Sequence, residues 1–125
     1  MNISMKTIPM AEMRDKGALG DYWIDEDGTL QFRASESGNP VYDKLVLVHE
    51  MVEELLTSAK GIKEQDIMAF DLTHPDSDEP GLEPDAPYRD AHLLSEAVER
   101  LILAQLGMSW KKYETHMESL WRKPQ

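Results

Sequence analysis

The sequence predicts an α+β domain in which a small β-hairpin or sheet precedes three to four helices. Three observations predict it. An Asp27-Gly28 pair lies between two short runs of aromatic and β-branched residues, which is a local hairpin signal. Two long segments with helical apolar spacing each stop at a glycine, Gly61 and Gly107, the residue that most readily ends a helix. Ser109 then opens a last segment with Trp110, Tyr113, Met117 and Trp121 along one side, as expected of an N-capped amphipathic helix.

Element by element, residues 1–20 are rich in Met and broken by Pro9, Gly17 and Gly20, and read as an irregular N-terminal arm with at most one short turn of helix. Tyr22-Trp23-Ile24 and Thr29-Leu30-Gln31-Phe32-Arg33 read as two strands joined through Asp25-Glu26-Asp27-Gly28. Ser35 to Pro40 forms a loop. Val41 to Lys60 is a long helix, and Lys63 to Leu72 a shorter one. Residues 72–87 contain Pro75, Pro80, Pro84, Pro87 and Gly81, with five acids and neither Lys nor Arg. A loop of that length in a small domain is a functional lid or disordered. Tyr88 to Leu106 is the second long helix. No internal repeat interrupts this order, and 125 residues fit a single domain spanning 1–125.

Composition narrows the function classes. The absence of Cys excludes disulfides, thiolate zinc sites, iron–sulfur clusters and cysteine nucleophiles. Thirteen Lys and Arg against 24 Asp and Glu give a net charge of −11, which argues against nucleic acid or an anionic membrane as direct partner, since both are held by basic clusters. Without an apolar run long enough to span a bilayer, and without a signal-like N-terminus, the expected location is the cytoplasm.

The chemistry concentrates in His49-Glu50-Met51-Val52-Glu53-Glu54. On a helical wheel Leu45, Val46, Val52, Glu53 and Leu56 fall within about 60° of His49. His49 and Glu53 therefore lie inside the apolar face, Asp43, Lys44 and Glu54 on the outer face, and Glu50 at the boundary. A buried, ionised Glu53 needs a cation or a dense hydrogen-bond shell. An imidazole and a carboxylate four residues apart can reach one zinc together, and Glu50 beside them is placed to take a proton from water, as in the H-E-x-x-H helix of metallopeptidases. The simpler alternative is a hydrogen-bonded His–Glu pair at the rim of the core.

A third ligand must come from another segment. His92, Glu96 and Glu99 form one stripe of the second long helix, within about 40° on the wheel. Its apolar residues, Leu94, Ala97, Val98, Leu101 and Ala104, point the other way. On geometry alone this stripe reads as solvated charge, and a ligand role requires the helix to be wedged so that both sides meet protein. His74 and His116 read as surface histidines, and Asp71 as a helix-end residue and a weaker ligand candidate.

Several segments resemble small phage and prophage proteins: Gly20 to Leu30, His49 to Leu56, Phe70-Asp71, Glu79-Pro80-Gly81, Ala86 to His92, and Ile102 to Gly107 with Trp110 to Tyr113. The resemblance covers roughly residues 8–114, and the helix of this family is similar to that of minimal zincin-like metallopeptidases. It implies a metal site of His49, Glu53 and His92, with Glu50 as catalytic base and Tyr88 and Arg89 steadying an oxyanion or orienting a ligand. Zincins carry histidine where this chain has Glu53. That harder, more anionic donor makes manganese or magnesium alternatives to zinc.

Three functions compete. One is a metal-dependent, peptidase-like hydrolase in a bacterial host, acting on a protein or peptide, with an open cleft beside Glu50 that the 72–87 loop covers. A second is a metal-free acidic accessory protein of a phage, steered to a basic host site by its charge. The third is an all-α, magnesium-dependent nucleotide pyrophosphohydrolase in which Glu50, Glu53 and Glu54 face Glu96 and Glu99.

Overall fold

The computed structural model describes residues 1–76 and 80–120. Its elements run β1 (Ile3–Ile8), β2 (Gly20–Ile24), β3 (Leu30–Ser35), α1 (Pro40–Ala59), α2 (Glu64–Leu72), α3 (Arg89–Gln105) and α4 (Trp110–Leu120), with short 3-10 turns at Met10–Glu12 and Pro80–Leu82. A small three-stranded sheet followed by four helices is the expected α+β arrangement. Trp121 and residues 77–79 of the 72–87 segment lie outside the described residues.

The β2–β3 hairpin closes where the Asp-Gly signal places it. Gly28 adopts a left-handed φ of 80°, which costs a glycine little. Asp25 accepts hydrogen bonds from the Asp27 and Thr29 amides at 2.9 and 3.0 Å and from Gln31 Nε2 at 2.7 Å. These bonds, the one from Gln31 foremost, hold its carboxyl below the ordinary value. Along β3, Leu30, Phe32 and Ala34 are buried under the helices, while Gln31 and Arg33 lie on the opposite face. There Arg33 and Arg14 approach the Trp23 ring at 5.3 and 4.4 Å.

The N-terminal arm is more ordered than expected. Ile3–Ile8 is a strand that pairs in parallel with β3, from Ile3 opposite Leu30 to Ile8 opposite Ser35, giving the order β1-β3-β2. Ile3 and Met5 stay 54% and 40% exposed, so the strand shows no clean alternation of buried and exposed residues. What fixes it is the free edge of β3, a backbone feature with no local sequence signature.

Helix α1 begins at Asn39, whose side chain accepts from the Val41 and Tyr42 amides at 3.0 and 3.4 Å, with Pro40 in the first turn. It ends at Gly61, after which the Ile62 amide returns to Thr57 O at 2.9 Å. Helix α3 ends in the same way, at Gly107, with the Met108 amide bonded to Leu103 O. Ser109 accepts from the Lys112 amide at 3.2 Å and caps α4. The core joins Ala34, Leu45, Val46, Leu103, Tyr113 and Met117. Asp43, expected on the outer face, is 7% exposed. The loop after β3 folds over it, and its Oδ1 accepts from Ser37 Oγ and the Ser37 amide at 2.6 and 3.0 Å.

Candidate metal centre

Helices α1 and α3 lie side by side and antiparallel, since His49 meets Glu99 whereas Glu53, one turn on, meets His92. Ala91 and Ser95 line the contact at 2% and 0% exposure, and Ser95 Oγ bonds His49 O at 3.0 Å and Ala91 O at 2.9 Å. Small side chains bring the two backbones close enough for longer ones on the flank to converge.

The face that α3 turns inward carries the polar stripe, with Leu103 beside it in the core. Glu99 is 3% exposed, whereas Leu94 and Leu101 are 48% and 71% exposed. This reverses the expectation of a solvated charged stripe, and the reason lies on α1. His49 and Glu53 occupy the sector of α1 that α3 covers, and two buried polar groups are stabilised by polar partners, not by leucines.

Around this contact, His49 Nε2 lies 3.1 Å from Glu53 Oε2, and His92 Nδ1 lies 3.3 Å from the same oxygen. One donor atom from each of His49, Glu53 and His92 falls within 4.8 Å of the others. A tetrahedral cation with ligands at about 2.0–2.1 Å sets its donor atoms about 3.3 Å apart, which the two distances to Glu53 Oε2 match. The second nitrogen of His49, Nδ1, is hydrogen-bonded to Glu99 Oε1, and the other oxygen of Glu99 accepts from the Tyr113 hydroxyl at 2.5 Å. A histidine held by a carboxylate on one nitrogen presents the other in a fixed direction, the usual support of a metal-ligating imidazole.

The two buried carboxylates stabilise positive charge, whether on the imidazoles or on a bound ion. Burial works against protonation of His49, but its bonds to Glu53 and Glu99 prevail and hold its pKa well above the ordinary value. Burial likewise pushes Glu53 up, yet the two histidines hold it below the ordinary value. Among the described residues neither Glu53 nor Glu99 pairs with Lys or Arg. Glu50 lies half-buried between α1 and β2, where a Cβ added at Gly20 would come 2.6 Å from its Oε1. Desolvation first, then repulsion from Glu53, pushes its carboxyl up to about 8.

His92 is covered by the turn at Pro80–Leu82, where a Cβ on Gly81 would come 2.7 Å from its ring. Its Nε2 lies 4.0 Å from Glu96 Oε1. Tyr88 donates to Asp71 Oδ1, so its hydroxyl is committed there, while Arg89 Nε has no hydrogen-bond partner among the described residues. His74 and His116 stand apart from the cluster. His74 stacks on Phe70 at 4.0 Å, and His116 donates to Ser37 O at 2.8 Å, half-buried where a surface residue was expected. A groove of about 610 Å³ runs between β2, α1 and α2, lined by Tyr22, Trp23, Glu54, Thr57, Ile67 and Met68 among others.

Sequence reasoning missed the roles of Glu99 and Tyr113 toward His49. The available signals were the seven-residue spacing of His92 and Glu99 and the small residues Ala91 and Ser95 beside that stripe. The sheet sets the architecture apart from an all-α pyrophosphohydrolase, and Glu99 is engaged by His49 and Tyr113. No helix among the described residues is long and apolar enough to cross a membrane. No protein-family model, curated protein or solved structure matches this chain.

Proposed function

We propose that this protein is a metal-dependent hydrolase of the phage and prophage type, acting on a peptide or protein in the bacterial cytoplasm. His49, Glu53 and His92 would hold the metal, zinc by preference, with manganese or magnesium as alternatives given the carboxylate donor. The observation that carries this reading is the convergence of His49 Nε2 and His92 Nδ1 on one oxygen of the buried Glu53 at metal-ligand spacing.

When bound, the metal would supply Lewis acidity to a water and to the carbonyl of the scissile bond. The rest is done by the chain. Glu99, steadied by Tyr113, would hold the His49 ring by accepting a hydrogen bond from Nδ1–H, leaving Nε2 free to ligate. Glu50 is the general base, taking the proton of the attacking water and returning it to the leaving amine; burial and Glu53 favour its protonated form, and a cation held beside it would favour the carboxylate that the first step needs. The backbone at Gly81 shields His92 from solvent.

Elemental analysis of untagged protein, purified without chelator, tests the reading. About one equivalent of zinc or manganese in the parent, lost in His49→Ala, supports it. Glu50→Gln should keep the metal and lose hydrolysis in a peptidase screen. Absence of metal from the parent, even after incubation with both ions, would leave the cluster as a structural His–Glu network and favour the metal-free accessory protein.

A further inference from the structure

Of the four α-helices, α2 alone buries no residue among those described. Its apolar side chains, Ile67, Met68, Phe70 and Leu72, spread over roughly 200° of the wheel at about 100° per residue, so they form no stripe that a neighbour could cover. Met68 and Leu72 are 52% and 78% exposed. A helix of nine residues does not hold together in water on its own hydrogen bonds, and such helices are stabilised by what they pack against. Beneath α2 there is space in place of packing. The groove of about 610 Å³ separates Ile67 and Met68 of α2 from Tyr22 and Ile24 of β2 and Thr57 of α1. A packed helix leaves no such space between itself and its neighbours. Thr57 lies one turn beyond Glu53, whose carbonyl accepts from Thr57 Oγ1 at 2.8 Å, so the space under α2 begins one turn from the cluster.

What holds α2 is found at its two ends. At the first turn, Arg14 Nη2 meets Glu64 Oε1 at 3.0 Å, with side chains 44% and 40% exposed, and an ion pair so open to water contributes little. At the last turn, the Tyr88 hydroxyl donates to Asp71 Oδ1, and the Phe70 ring meets that of Tyr88 edge-on at 6.3 Å. Tyr88 is 5% exposed, and its carbonyl accepts from the His92 amide at 2.9 Å. This end of α2 is therefore fastened to the first turn of α3. Back to α1, the helix is joined through residues 61–63, with Gly61 at a φ of 73°. A Cβ on Gly61 would meet nothing within 4 Å, so no neighbour braces the link there.

We infer that α2 is a lid on this groove, hinged at residues 61–63 and latched by the hydrogen bond between Tyr88 and Asp71. With the latch closed, α2 spans from Arg14 to the start of α3 and stands over Thr57. With the latch open, the exposed ion pair at the other end does not hold it, and the detached helix loses its own hydrogen bonds. Because Tyr88 opens α3 one turn before His92, the lid closes beside the cluster and controls entry to the space next to it. Neither the hinge nor the latch requires a metal in the cluster.

Native-state hydrogen exchange of the full chain at low denaturant tests it. Amides of residues 67–72 should exchange on the order of 100-fold or more faster than those in the middle of α1 and α3, and with little dependence on denaturant, as a local opening does. Exchange of α2 at the rate of α1, through global unfolding, overturns the lid. Tyr88→Phe keeps the ring and removes the latch. It should speed exchange across α2 by about tenfold, the worth of one hydrogen bond to a charged acceptor, with α1 and α3 unchanged. Asp71→Ala removes the same bond from the less buried partner and should give the same result. Unchanged α2 rates in both variants overturn the latch. Equal acceleration through α1, α2 and α3 overturns the lid as well, because the three helices would then open as one unit.

Discussion

The sharpest test of the metal centre is Glu99→Gln, because it changes charge while keeping shape. Glu99 is 3% exposed and holds His49 Nδ1 through one oxygen and the Tyr113 hydroxyl through the other. A glutamine can still accept from His49 Nδ1, so the ring stays in place and only the charge assistance disappears. A hydrogen bond to a charged acceptor contributes about 1.5–3 kcal/mol and a neutral one about 0.5–1.5 kcal/mol, so about 1–1.5 kcal/mol is lost. At 1.4 kcal/mol per decade this is roughly a tenfold weaker zinc affinity, the lower end of the 10–100-fold range for residues that orient metal ligands. Tyr113→Phe removes only the outer bond and leaves the carboxylate on His49, so its effect should stay within about threefold. Competition against a chromogenic zinc chelator measures both, with circular dichroism to confirm the fold. Unchanged zinc affinity in Glu99→Gln, alongside loss in His49→Ala, would refute the claim that Glu99 orients the ligand.

Two further outcomes follow from the same geometry. Zinc at 100 times its dissociation constant should stabilise the parent by about 2.7 kcal/mol, raising Tm by roughly 10 °C or more for a domain of this size; the shift should vanish in His49→Ala, as scanning calorimetry would read. Gly20→Ala should destabilise the protein by about 1–3 kcal/mol in urea unfolding, because its Cβ would sit 2.6 Å from Glu50 Oε1 and 2.7 Å from Val46 Cγ1. A neutral effect there would mean that β2 and α1 are not packed as closely as the structure places them.

The elements legible in the sequence were those whose cause is local. Gly28 sets the hairpin, Ser109 caps α4, and Gly61 and Gly107 end α1 and α3; each acts on backbone within a few residues of itself, as does the Asn39 cap of α1, which the sequence reading left in a loop. Strand β1 was illegible because its determinant is the vacant edge of β3, more than 20 residues away in sequence, and its half-exposed side chains carry no alternating pattern. Asp43 was misplaced for a similar reason. A wheel knows only its own helix, and the group that buries Asp43 is Ser37 in the preceding loop.

By itself the sequence determined the α+β class, the places where helices begin and end, and that His49 and Glu53 share the buried sector of α1. It also determined that α3 has two unlike faces, one of His92, Glu96 and Glu99 and one of Leu94, Val98 and Leu101. Which of these turns inward was decided only by the tertiary structure. Helical periodicity measures how far two faces differ, whereas the face a helix buries depends on what it meets. Here α3 meets a histidine and a carboxylate, so polar groups pair with polar groups across Ala91 and Ser95, and Leu94 and Leu101 are left facing outward while Leu103 reaches the core.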